Sequence, residues 1–584
     1  MSDLFQISVS ALQAFQSAIS VTSNNIANAN TPGYADESIA LTNEVASAGT
    51  QTSIGDGVAV SSIDRAFSQL AESQLNSSQS GLSSLTAQQT FTNQIDNIVG
   101  TTAGGVSTAL TNYYNAWSTV ANDPTSTASR QALLGSAQSL AQAFQTTSGQ
   151  LQDLNTQING GITADVSQIN SDAQSIASLN AQIAIGSANG AGQAPNALMD
   201  QRDAVISNLA TMVGISTTTG DNNSVNVFIG SGQPLVLQNN VTQLTTVPNQ
   251  FDASQLDIST ATSAGNDISN SITSGDLGGL LAARSQVVNP TLNALGKIAI
   301  GLATSANTQQ NAGVDLTGAL GANLFTPLTT SSTVTATASG NNTGGASATA
   351  SITNVGALTG DSYVLSYKSG AYSLTDQTTG VSVVPTGLGT SLSPLTAAGL
   401  SITLSSTPAS GDEFLIQPTA NAAGNLAVAL TSPSQLAAAG ALQTAAGANN
   451  TGTGTIGSAT VQTATNASLL TPTTITFSNP PTAYTIGATS YSYTAGSTIS
   501  LNGWQVAISG TPAASDTFTV GPGAAGNNQN ALAMANQATK GVLASGTISI
   551  NGATSDLVTS VGSQAQQINT ATTAQKAVNT QATA

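Results

Sequence analysis

The run LLGSAQSLAQAFQTTSGQLQDLNTQINGGITADVSQINSDAQSI, residues 133–176, decides the fold. Leu133, Ala137, Leu140, Phe144, Thr147, Leu151, Leu154 and Ile158 recur at alternating spacings of four and three. That is the heptad seam of a helix packed side by side with others. At Gly160-Gly161 the seam slips, because Ile162 follows Ile158 by four positions rather than three; it resumes through Val166, Ile169, Ala173 and Ile176. Such a stutter locally unwinds a left-handed supercoil. The spacing predicts long antiparallel helices with coiled-coil packing.

Upstream, Val106, Leu110, Tyr113, Trp117 and Val120 keep the same rhythm until Asn122-Asp123-Pro124 breaks it, so Arg65 to about Ile185 reads as almost wholly helical. Residues 3–29 carry two adjacent seams. Leu4, Ile7, Ala11, Ala14, Ala18 and Val21 form one, and Phe5, Leu12, Phe15, Ile19 and Ile26 the other. Together they make a broad apolar face that needs a large partner surface. Pro32-Gly33 suits a type II turn, with Pro fixing φ and Gly supplying a positive φ. Residues 37–63 read as extended, and 195–213 as a helix. Residues 224–237 read as a β-hairpin about Gly230-Ser231-Gly232. Residues 276–312 return to helix, with Pro290 marking a kink or a first turn.

From about 327 to 525 the composition shifts to Thr, Ser, Ala, Gly and Val in short alternating runs, which predicts β structure. An internal repeat lies here: TPASGDEFLIQP at 407–418 and TPAASDTFTVGP at 511–522 agree at six of twelve positions. Two similar β modules follow from it, with an Ala-rich helix expected over 433–446. Past Gly526, residues 530–539 and the spacing Leu557, Val561, Ile568, Ala571, Val578 read as helices. The fold class is therefore α+β multidomain: an elongated helical bundle near the termini with an inserted mainly-β region of two similar modules. Expected boundaries are 1–36 for a terminal coiled-coil segment and 37–326 for a helical domain with a β-hairpin subregion near 215–262. They continue with 327–432 for the first module, 433–525 for a linker helix and the second, and 526–584 for the returning helices.

Composition removes most chemistries. With no His and no Cys there is no imidazole base, thiol nucleophile, disulfide or thiolate metal site. Eight Lys and Arg against 26 Asp and Glu give a net charge of −18, which argues against nucleic acid and anionic membrane surfaces. No run is long enough to span a bilayer, and the N-terminus lacks the basic region of a Sec signal. Gly411-Asp412-Glu413-Phe414 spells part of a nucleotide-cyclase motif, but its repeat copy departs from it. Asp200 and Asp203 could pair as catalytic carboxylates; as structural ion-pair residues they make better sense, in a set with Arg130, Arg202 and Arg284, and bidentate contacts to carboxylates or backbone carbonyls suit all four arginines, Arg65 included. Asp221-Asn222-Asn223 could bind a cation, although a loop before a hairpin calls for such residues anyway. Trp117 and Tyr113 read as core. No catalytic, cofactor or metal site is expected.

The segment Ser23-Asn24-Asn25-Ile26-Ala27-Asn28-Ala29-Asn30-Thr31-Pro32-Gly33-Tyr34 resembles the signature of the bacterial flagellar rod, hook and hook-associated axial proteins. Four further stretches resemble the hook–filament junction branch of that family: Asn122–Leu134, Pro195–Asp203, Gly279–Arg284 with the helix through Asn307, and Gly411–Phe414 with Pro418. The resemblance implies a structural, non-enzymatic protein of the extracellular flagellum, exported by the flagellar type III system with an export chaperone. It implies the flagellar hook protein below, a second junction protein (the third hook-associated protein) above, and copies of the chain in a ring. It makes Asn24, Asn25, Asn28, Asn30, Thr31, Pro32, Gly33 and Tyr34 assembly residues, with Leu4, Ile7, Leu12, Phe15, Ile19, Val21 and Ile26 as the assembly helix. Family members continue beyond the position of Ala584 into a helix that pairs with the first one, so residues 1–30 are expected to lack a partner within this chain and to order on assembly. The rival readings are a surface adhesin, another axial protein, or a carboxylate-based peptidoglycan-degrading enzyme.

Overall fold

The computed structural model describes residues 2–31, 33–44, 57–100, 104–189, 195–260, 267–463 and 466–583. Pro32 and the side chain of Leu4, both singled out above, lie outside what is described. The chain divides into two compact units, Met1–Asn93 with Leu154–Gln286 and Gln564–Ala584, and Gln94–Asp153 with Val287–Ser563.

In the first unit, α1 (Ser2–Asn28) lies on an antiparallel hairpin of β1 (Glu37–Asn43) and β2 (Val58–Arg65). The helices α2 (Gln69–Gly100), α3 (Val106–Asn122) and α4 (Thr127–Asn189) follow, α2 and α4 contributing to both units. Every residue of the quoted seam, from Leu133 to Ile176, is buried along α4. The seam slip has a steric partner: a Cβ on Gly161 would stand 2.9 Å from Leu280 Cδ1, so the missing side chain lets that leucine in. The short α5 (Asn196–Met212) leads into an antiparallel sheet of β3 (Ile215–Thr219), β4 (Val225–Ile229), β5 (Gln233–Leu237) and β6 (Asn240–Val241). A separate hairpin of β7 (Leu244–Pro248) and β8 (Leu256–Thr260) completes the β part. The expected hairpin is thus the centre of a larger sheet. Next come α6 (Gly275–Ala283), a π-turn over Arg284–Val288, and α7 (Asn289–Asn311), with Pro290 in the first turn of α7.

Asp165 on α4 faces Asp276 in the first turn of α6. Burial, then the Asp276 charge, pushes the Asp165 carboxyl from 3.8 up to about 7, and burial raises Asp276 as well. Two carboxyls in one dry site share a proton. The folded state therefore binds that proton more tightly than the unfolded chain, so this contribution to stability is complete below about pH 4 and is lost as pH rises to about 7. Asp165→Asn, which keeps a donor toward Asp276, should flatten that part of the melting-temperature profile. An unchanged slope between the two proteins would remove the shared proton from the account.

In the second unit, Val106, Leu110, Tyr113, Trp117 and Val120 of α3 are all buried, and Tyr113 meets Phe325 with ring centroids 6.0 Å apart. The two β modules have one plan. In the first, a five-stranded sheet runs in the order Thr335–Ala338, Glu413–Gln417, Tyr363–Lys368, Ala371–Asp376, Ser382–Val383. In the second, Leu442–Ala446, Thr517–Pro522, Thr473–Phe477, Ala483–Ile486 and Thr489–Ser492 take the same places. A smaller antiparallel group, centred on Leu400–Leu404 or Trp504–Ser509, accompanies each. The repeated Asp does one job twice. Asp412 accepts from the backbone N–H groups of Thr343, Gly344 and Ala409, and Asp516 from those of Thr451, Gly452 and Ala513. Beside them Asn342 exchanges both backbone hydrogen bonds with Glu413, and Asn450 does so with Thr517. Burial opposes the Asp412 charge, but three N–H donors hold its carboxyl below the usual range. Asp412 is a loop fastener, which disposes of the cyclase reading.

The helix expected over 433–446 is absent. Pro433–Gln435 form one 3₁₀ turn capped by Ser432, and Ala439–Gly440 and Leu442–Ala446 are strands. Leu442–Ala446 pairs with Thr517–Pro522, and Ala437, Ala438, Ala439 and Ala441 are buried outside any helix. Strand pairing and burial override the helix propensity of the alanines. After the modules, α8 (Gln529–Asn536) and α9 (Ile550–Thr583) restore the helical pattern. Leu557 and Val561 are buried, but Ala571 and Val578 of the expected seam are exposed.

Candidate functional site

The two seams of α1 separate by exposure. Ala14 and Val21 are buried and Ile7, Ala11 and Ala18 half-buried on the side that meets the hairpin, whereas Phe5, Leu12, Phe15, Ile19 and Ile26 are 67–73% exposed. The expectation that nothing in the chain covers the first helix therefore fails for one seam, while the other seam is exposed among the described residues. The approach of hairpin to helix is close. Gly57 has φ +116°, and a Cβ there would fall 3.3 Å from Ile7 Cα and overlap Ser10 Oγ. Ser10 Oγ instead accepts the Val58 N–H at 3.3 Å.

The corner after α1 is held by the signature residues. Asn25 acts as a detached peptide group: its Oδ1 accepts from Glu37 N–H at 3.1 Å and its Nδ2 donates to Glu37 O at 2.9 Å. The same Oδ1 accepts from the Tyr34 hydroxyl at 2.7 Å. Asn24 Nδ2 donates to Tyr34 Oη at 3.3 Å, and Asn28 Nδ2 donates to Asn24 Oδ1 at 3.0 Å. Thr31 Oγ1 donates to Asn28 Oδ1 at 3.2 Å. Gly33 has φ +80° in a turn closed by Tyr34 N–H to Thr31 O, and a Cβ on it would touch Ala204 at 3.4 Å. Asn30 is exposed.

From this corner the bonds pass to α5. Ala35 N–H donates to Asp200 Oδ2 at 3.3 Å. Arg65, at the end of β2, forks to Asp200 Oδ1 at 2.6 Å and Asp203 Oδ2 at 2.5 Å. Burial works against the Arg65 charge, but Asp203 and Asp200 outweigh it and its pKa is raised. Asn196 Nδ2 donates to Glu37 Oε1 at 2.8 Å and Ile63 O at 3.0 Å, closing a ring of bonds through α1, the hairpin and α5.

The arginines need one correction and one addition. Arg130 forms no ion pair among the described residues: it is fully buried and donates to the carbonyl oxygens of Pro124 and Leu436. A helix-start Arg beside a Pro-broken turn finds unpaired carbonyls, not carboxylates. Arg202 donates to Asn223 O at 2.6 Å and reaches Asp203 Oδ1 at 3.3 Å, while Asp200 serves Arg65 instead. Arg284 donates to Leu256 O at 2.7 Å and Asp257 Oδ1 at 3.3 Å. Arg65 is the central cation of the site, and the sequence reading left it out of its ion-pair set. Asp200 and Asp203 are both committed to it, which removes them as a catalytic pair. The Asn223 carbonyl is occupied by Arg202, which disfavours the cation loop. Among the described residues no group of three or more Asp, Glu, His or Cys is placed to hold a metal ion.

Three family models match: "Flagella basal body rod protein" over residues 5–34, "Flagellar hook-associated protein FlgK helical domain" over 92–325, and "Flagellar hook-associated protein 1, D2-like domain" over 321–418. The chain is 32% identical to flagellar hook-associated protein 1 of Escherichia coli over 447 residues, covering 75% of this chain and 80% of that protein. It is 31% identical to the Salmonella typhimurium protein of the same name, covering 75% and 79%. The solved structure of the flagellar hook junction protein FlgK from Burkholderia pseudomallei superposes with a TM-score of 0.77 at 32% identity, covering 88% of this chain and 98% of that one. The chain belongs to the flagellar hook-associated protein 1 (FlgK) family.

Proposed function

We propose that the chain is a structural junction of the extracellular flagellum, seated between hook and filament. One observation carries this reading: α1 is locked by the signature corner to its hairpin and α5, while its Phe5–Leu12–Phe15–Ile19–Ile26 seam faces outward uncovered. A face of that size on a surface helix marks a protein contact. The Asn and Tyr of the signature set the aim of the helix, and the exposed seam makes the contacts, first with copies of the same chain in a ring. The hook protein below and the third hook-associated protein above are the further partners, and a flagellar chaperone accompanies export. Relatives are structural proteins, and no catalytic role is assigned. The β modules, self-contained cores fastened by Asp412 and Asp516, are the outer part.

The test is genetic. Cells lacking this chain should build hooks without filaments and release filament protein into the medium, and re-expression should restore filaments. Normal filaments in the deletion strain would end the junction reading.

A further inference from the structure

Beside the signature corner lies a cleft of about 460 Å³, walled by residues 62–65 of β2, the start of α2, α5, and β3 and β4. Its contents are unusual for a chain with so few charges. Glu72, half-buried on α2, lines it and has no hydrogen bond or ion pair to its carboxylate among the described residues. Desolvation, then the neighbouring Asp203, pushes the Glu72 carboxyl up, and the Arg65 charge offsets them only in part. Asn76, one turn further along α2, is 6% exposed, and its Oδ1 accepts no hydrogen bond among the described residues. Residues four apart share a helix face, so two unmet acceptors stand together on one wall. The lining also includes the apolar side chains of Met199 and Ile206 on α5, and Phe67, 45% exposed. A buried acceptor without a donor, next to a half-buried carboxylate that no described cation bonds directly, costs free energy that an occupant would recover.

We propose that this cleft is a socket for an arginine side chain presented by a different protein of the assembly. A guanidinium is planar, carries a fork of donors, and rides on an apolar stem. It matches a carboxylate and an amide oxygen one helical turn apart, while its stem lies along Met199 and Ile206. The chain's own four arginines cannot supply it from a second copy: Arg65, Arg130, Arg202 and Arg284 are all buried and bonded at home. That the donor protein is a flagellar neighbour rests on the junction reading; the preference for a guanidinium does not.

The direct test uses the full chain with methyl-labelled Met and Ile, titrated with N-acetyl-arginine amide. Saturable shifts at Met199 and Ile206 are expected, with none from the uncharged isostere N-acetyl-citrulline amide. Glu72→Gln should weaken the arginine response by about tenfold or more, the worth of a charged hydrogen bond, without lowering the melting temperature. Equal responses to both probes, no response, or an unaffected Glu72→Gln would overturn the proposal. A photo-cross-linker at Phe67 in intact flagella then identifies the donor. An adduct on another protein at an arginine-bearing segment is expected; adducts confined to copies of this chain, or none, would remove the occupant. Absence of the chain from purified hook–filament particles would instead sink the junction reading and leave the titration standing.

Discussion

Replacing Leu12 and Phe15 together by Asp leaves the melting curve of the isolated chain unchanged and abolishes incorporation at the hook tip. Both side chains point to solvent, at 69% and 67% exposure, so the isolated chain loses no packing when they change. The opposite seam, with Ala14 and Val21 buried, keeps α1 on its hairpin. On assembly the exposed seam goes under cover. At about 1.5–3 kcal/mol per fully buried large side chain, its five members supply roughly 7–15 kcal/mol, enough to oppose the cost of ordering and association. Two carboxylates in that interface forfeit two of the five gains and add charges that must be desolvated without partners. The readouts are thermal melting of the purified variant and the fraction of a tagged variant retained on flagella. A lowered melting temperature would mean the seam is packed within the chain, and normal retention would mean it plays no part in assembly.

Arg65→Ala should destabilise the first unit by about 3–5 kcal/mol, the range for stripping one partner from a buried ion cluster. The Arg65, Asp200 and Asp203 side chains are 7%, 12% and 17% exposed, so water cannot replace the lost fork. Two carboxylates three residues apart on α5 would then face each other with only Arg202 nearby, and Arg202 is bonded to the Asn223 carbonyl. Arg65→Lys should recover only part of the loss, because an ammonium cannot fork to two carboxylates. Combining Arg65→Met with Asp200→Asn and Asp203→Asn should cost less than Arg65→Ala alone, since no charge is left unpaired. Denaturant unfolding gives the sizes, and hydrogen exchange of α5 amides gives the place. A loss for Arg65→Ala below about 1 kcal/mol would show the cluster to be screened like a surface pair.

The heptad arithmetic made the helices legible: all seam positions from Leu133 to Ile176 are buried, and the glycine slip coincides with the approach of Leu280. The two seams of α1 were equally legible, but periodicity cannot say which one a hairpin will take. The smaller residues of the Ala14 seam allow the close approach that Gly57 completes, and the larger Phe and Ile seam is left outside. The β duplication was visible at 407–418 and 511–522, yet the matching Asn342 and Asn450 were not, because their distances to the repeated Asp differ by four residues of loop. The alanines of 433–446 read as helix because their strand partner lies some 75 residues away, at Thr517–Pro522. At the corner, the signature was conspicuous as a string. Its function as a clamp on Glu37 was not, since Asn25 mimics a backbone that sequence does not display. Arg65 reads as suited to a bidentate contact, but which carboxylates it takes was not legible: its partners sit 135 and 138 residues further on.

The four arginines are spent inside the fold, with side chains at most 8% exposed. Lys297 leans on the Thr359 carbonyl and is half-buried, while Lys368, Lys540 and Lys576 are exposed. Several Asp are buried as well, so the surface keeps the acidic sign of the whole chain while showing few cations. Copies of the chain repel one another through dilute buffer, which keeps them apart and soluble while unassembled. At physiological ionic strength the Debye length shrinks to about 8 Å, and the repulsion reaches little further than a side chain. The apolar seam of α1 then acts at contact range without opposition from afar.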